Sequence, residues 1–69
     1  MFTIDLIDPR GQALAIWRDA EHLVSTRWDV FLKAGPEARR FAFASYVAAL
    51  DAEEAAATKL ASLTLRMAA

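Results

Sequence analysis

Apolar and polar residues alternate at the start of the chain, in Phe2-Thr3-Ile4-Asp5-Leu6, and from Trp17 onward apolar residues recur at three- and four-residue steps. The first period is that of a half-buried strand and the second that of an amphipathic helix. Asp8-Pro9-Arg10-Gly11 sits where the first pattern would reverse. Asp suits the opening position of a type I turn, Pro presets φ at the next, and Gly takes the left-handed position that makes a bulge. That turn sets Leu6 opposite Leu14 and Ile4 opposite Ile16 on one face, so residues 2–17 are expected to form a β-hairpin with open edges for a further strand. A helical alternative competes. Asp8 is also a good N-cap with Pro9 at the first helical position, and Ala13, Trp17, Ala20 and Val24 then run as one stripe into the next segment. Its cost is about 1 kcal/mol for Gly11 inside a helix.

From about Arg18 to Ala34 the period is helical. Trp17, Ala20, Val24, Trp28 and Phe31 form an apolar stripe, widened by Leu23 and Leu32, against a polar side of Arg18, Glu21, His22, Ser25, Thr26, Asp29 and Lys33. Ala34-Gly35-Pro36 is expected to end it, with Gly35 left-handed and Pro36 opening the next helix. So short a connection implies two adjacent antiparallel helices.

The second helix is expected over about 36–50, around the dense run Arg39-Arg40-Phe41-Ala42-Phe43-Ala44-Ser45-Tyr46-Val47-Ala48-Ala49-Leu50. Phe43, Val47 and Leu50 make its inward stripe, and Phe41 points elsewhere. Continued, that stripe meets Glu54, whereas Ala49, Ala56, Leu60, Leu63 and Met67 make a second stripe about a third of a turn away. Asp51-Ala52-Glu53-Glu54 resembles an acidic capping box. A kink or restart near Asp51, with a further helix over about 52–67, reconciles the two stripes; a continuous bent helix does so almost equally well. The expected fold is a single small domain, mainly α (α+β): an N-terminal β-hairpin, then an antiparallel helix pair with a kinked or interrupted C-terminal helix.

Composition narrows the functional classes. Hydrophobic residues are 57% of the 69, but sixteen of them are alanine, which favours helix and buries little area. A chain this short buries roughly 60% of its unfolded surface. There is no cysteine, so no disulfide or thiolate metal site forms. A formal charge of −1 argues against non-specific affinity for nucleic acid or anionic membrane. The longest apolar run, Phe41 to Leu50, is far short of the ~20 residues of a membrane span. Met1-Phe2-Thr3-Ile4-Asp5 lacks a basic signal-peptide start, making the cytoplasm the expected location.

Candidate chemistry is sparse. Asp19 and His22 share a helical face but supply only two metal ligands. Glu53 and Glu54 are adjacent and point apart, which does not suit an acid–base pair. Ser25, Ser45 and Ser62 lack a Gly-rich elbow, although His22 is one turn from Ser25. Gly11 and Gly35 are too few for a phosphate-cradling loop. No catalytic residue and no cofactor is therefore expected, and the chain is read as non-enzymatic.

What remains is binding. Trp17 and Trp28, three helical turns apart on one face, either wall the core or anchor a partner. The residues chosen for partner contact are Trp17, Trp28, Phe41, Leu60, Leu63 and Met67 through apolar surface, with Arg39 and Arg40 for polar contact. The expected role is a small accessory subunit, adaptor or inhibitor that docks on a larger protein or self-associates. The alternative is a nucleic-acid module, in which Arg39 and Arg40 contact phosphate and Phe41, Phe43 and Tyr46 stack on bases.

Overall fold

A computed structural model describes residues 8–68 of the chain, with side-chain surroundings described through Arg66. Two helices form an antiparallel hairpin: α1, Pro9–Lys33, and α2, Arg39–Ala68. No strand occurs among the described residues, which overturns the expected β-hairpin; its first half, residues 2–7, lies outside them.

Asp8 decides the start of α1. Its backbone carbonyl accepts from the Gln12 N–H at 3.0 Å, closing the first helical turn, while its side-chain Oδ1 accepts from the Gly11 N–H at 3.0 Å. Pro9 follows at the first helical position, where its missing N–H costs nothing. Asp and Pro serve a turn and a helix start equally, so the outcome rests on what comes next. A lone two-stranded hairpin is marginal in water, whereas a helix from Pro9 lets Ala13, Trp17, Ala20 and Val24 all lie against α2.

α1 ends at Lys33. Ala34 is extended, with φ −72° and ψ 138°, and its N–H donates to the Phe31 carbonyl at 3.2 Å. The described glycines have no positive φ, so Gly35 does not form the left-handed cap expected of it. It precedes Pro36, which disfavours helical backbone in the residue before it. Pro36 lies in a turn of residues 36–38, closed by Ala38 N–H to the Gly35 carbonyl at 3.1 Å, and α2 begins at Arg39 rather than at Pro36. The helix then runs uninterrupted for 30 residues. The expected interruption near Asp51 is absent because nothing after Pro36 is Gly or Pro, and Asp51 and Glu54 lie exposed on the outer side.

Alanine lines the centre of the seam between the helices, with Val24, Leu60 and Leu63 half-buried beside it. Among the described residues Ala13 and Ala49 are the buried hydrophobic ones, and Ala20, Ala42 and Ala56 are half-buried along the same line. Ala13 and Ala20 are seven apart on α1, as are Ala42, Ala49 and Ala56 on α2, the repeat that keeps one side of each helix toward the other. Small side chains let the backbones approach, while the bulky residues are pushed to the flanks. This corrects the expected inward stripe: Phe43, Val47 and Leu50 are all exposed, and Ala42, Ala49, Ala56, Leu60 and Leu63 run inward instead. The extents along the principal axes are 49 × 28 × 12 Å. A stable domain ordinarily packs at least two layers around a core. This hairpin is one.

Candidate interaction surface

Because the hairpin is one layer, the residues flanking the seam form two broad faces. The first is aromatic. Near the turn, Trp28 lies 5.3 Å from Phe31 and 5.0 Å from Tyr46, and Phe43 lies 5.5 Å from Phe31 and 6.3 Å from Tyr46, all ring centre to ring centre and tilted. These are favourable aromatic distances, worth about 0.5–1.5 kcal/mol per pair beyond area burial. The rings are only partly covered, and Trp28 and Phe43 remain exposed. Further along, Trp17 is half-buried and donates its indole N–H to Glu53 Oε2 at 2.8 Å. Trp17 and Glu53 edge an open groove of about 550 Å³, floored by Ala57 and Leu60 and walled by Leu65. Towards the open end of the hairpin, Arg10 Nε meets Thr64 Oγ1 at 3.5 Å.

The second face is aliphatic and has a different sequence signature. Ile16, Leu23 and Val30 stand seven residues apart on α1 and are 60%, 40% and 53% exposed. From α2, Phe41 projects to the same side at 69% exposure, and Val30 and Phe41 line a groove of about 540 Å³ beside the turn. Arg27 reaches across this groove and donates to Ser45 Oγ at 2.8 Å.

The residues expected to contact a partner therefore divide. Trp17 and Trp28 belong to the aromatic face and Phe41 to the aliphatic one. Leu60 and Leu63 are half-buried in the seam, and the side chain of Met67 lies outside the described residues. Arg40 places its guanidinium carbon 5.7 Å from the Phe41 ring centre, and Arg39 reaches the Ala34 carbonyl at 3.5 Å. Both arginines are exposed with contacts in the turn region, and Phe43 and Tyr46 belong to the ring cluster. Sequence reasoning missed Ile16, Leu23 and Val30. Their seven-residue spacing is present in the sequence, but Ile16 is read there into a strand, Leu23 into a widening of the first helix's stripe, and Val30 into neither.

Asp19 and His22 are exposed, and no group of three His, Cys, Asp or Glu side chains able to hold a metal occurs among the described residues. The Ser45 hydroxyl is occupied by Arg27. No helix among the described residues is long and apolar enough to cross a membrane. Comparison with family models, with curated proteins and with solved structures found no match.

Proposed function

We infer that the chain is a small non-catalytic protein–protein interaction module, an accessory subunit, adaptor or inhibitor that docks through its apolar faces on a larger protein or on another copy of itself. The observation that carries this reading is the contrast between an alanine seam and exposed large side chains on both faces. A buried alanine methyl contributes about 0.8 kcal/mol, less than the roughly 1–2 kcal/mol of backbone entropy lost by ordering the same residue. The alanine seam leaves the hairpin marginal, with the ring cluster and the Trp17–Glu53 hydrogen bond adding to it. Covering Ile16, Val30, Phe41 or Trp28 with a partner supplies the missing burial.

The test combines thermal melting at widely separated protein concentrations with uptake of a hydrophobic dye. Self-docking raises the melting midpoint with concentration, because association stabilises the folded state by mass action. Docking on another protein leaves the isolated chain weakly structured and dye-binding. A cooperative, concentration-independent melt without dye uptake would overturn the reading.

A further inference from the structure

We propose that the aliphatic face is a self-recognition surface, on which a second copy of this chain stacks antiparallel about a two-fold axis through Leu23; this rests on the interaction-module reading above and names its partner. The pattern on α1 is symmetric about Leu23. Ile16 lies seven residues before it and Val30 seven after, so an antiparallel α1–α1 contact sets Leu23 against Leu23 and Ile16 against Val30 of the second copy. A seven-residue apolar repeat is the spacing by which two helices keep a continuous seam. Asp19 lies four before Leu23 and Arg27 four after. The same two-fold brings each Asp19 to the height of the opposite Arg27, giving two charge-complementary pairs across the seam.

α2 repeats this symmetry at the same level. The contacts Arg10–Thr64, Trp17–Glu53, Arg27–Ser45 and Trp28–Tyr46 lie either side of Leu23 and set it level with residues 47–51 of α2, centred on Ala49 and Leu50. On the α2 stripe that carries Phe41, Ala48 and Ala52 lie two residues either side of Leu50, and Phe41 and Lys59 lie nine either side. All four are exposed. The axis that pairs Leu23 with itself therefore sets Ala48 against Ala52, where two backbones can approach closely, and brings the Lys59 ammonium over the Phe41 ring of the second copy, a cation–π arrangement.

The area suits such a contact. A face about 40 Å long and two helix widths across offers roughly 800 Å², the share each partner gives to a standard stable interface. The product is a four-helix bundle of two hairpins, with the aliphatic stripes in its interior. An isologous contact of this kind closes at two copies.

The chain has no cysteine, so single cysteines report the contact directly. The full-length chain is examined by sedimentation, and L23C and L50C, which place the thiol on opposite faces, are oxidised mildly and run on a denaturing gel. The expected result is a sedimenting dimer that L23C locks covalently and L50C does not, and that L23K weakens at least 100-fold. A dimer locked by L50C and untouched by L23K would overturn this face while leaving the interaction-module reading in place. A wild-type chain that sediments as a monomer at several hundred micromolar would overturn self-recognition altogether. Dye uptake by that monomer then separates docking on a different protein from failure of the broader reading.

Discussion

The indole N–H of Trp17 donates to a carboxylate oxygen of Glu53 at 2.8 Å, across thirty-six residues of chain. The two side chains are half-buried and join the middle of α1 to the middle of α2. Hydrogen bonds to charged groups are worth about 1.5–3 kcal/mol when buried, and partial exposure puts this one at the lower end. Trp17→Phe and Glu53→Gln are each expected to destabilise the hairpin by about 1–2 kcal/mol. The double variant should cost less than the sum of the two. Urea denaturation of the four-member cycle measures the difference, and additivity would show that the bond contributes nothing.

Gly11 and Asp8 make a second coupled pair. A methyl group added at Gly11 would run into the Asp8 carboxylate that caps the helix. Gly11→Ala gains about 1 kcal/mol of helix propensity and loses a cap worth about 1 kcal/mol, so its net effect on stability is expected to be close to zero. In an Asp8→Ala background the cap is already gone. There Gly11→Ala should stabilise by about 1 kcal/mol, and equal effects in the two backgrounds would refute the cap.

The antiparallel helix pair was legible in the sequence because Pro36 and the polar side of residues 18–33 mark it plainly. The start of α1 was not, since Asp8-Pro9 is the signature of both a turn and an N-cap, and Leu6, Leu14, Ile4 and Ile16 happen to fit a hairpin register. The decision is tertiary: Ala13 and Trp17 have α2 to pack on only as a helix. The inward face of α2 was misread for a related reason. Size made Phe43, Val47 and Leu50 look like the core, but an antiparallel pair with small residues at seven-residue spacing closes on Ala42, Ala49 and Ala56. The later stripe of Ala49, Ala56, Leu60, Leu63 and Met67 is visible in the spacing, although its leucines and Met67 are there assigned to partner contact; from Ala49 to Leu63 it runs inward and extends back through Ala42, and the side chain of Met67 lies outside the described residues. No kink is needed once the seam follows alanine.

Phe41 and Phe43, two residues apart, should respond differently to truncation. Phe43 packs on Phe31 and Tyr46, so Phe43→Ala is expected to lower stability by about 1–2 kcal/mol through lost ring contacts and partial burial. Phe41→Ala loses the exposed contact with Arg40 and little burial, about 0.5 kcal/mol. Denaturation at low protein concentration, where association is suppressed, gives the comparison. Equal losses would place Phe41 inside the hairpin's own packing.

Neighbouring alanines provide the sharpest separation of seam from face. Ala49 is buried between the helices, and no bulky side chain fits there without moving a backbone. Ala49→Leu is expected to cost about 1–3 kcal/mol at every protein concentration, because the strain lies within one hairpin. Ala48 is exposed and one residue away, on the face assigned to the second copy. Ala48→Leu should leave the helix content and low-concentration stability of the hairpin unchanged, while the larger side chain blocks the close approach to Ala52 of the second copy. Its effect should therefore appear only as a loss of the concentration dependence of melting. If Ala48→Leu and Ala49→Leu behave alike in both measurements, the alanine line does not distinguish an internal seam from an external surface, and the one-layer description of the chain fails with it.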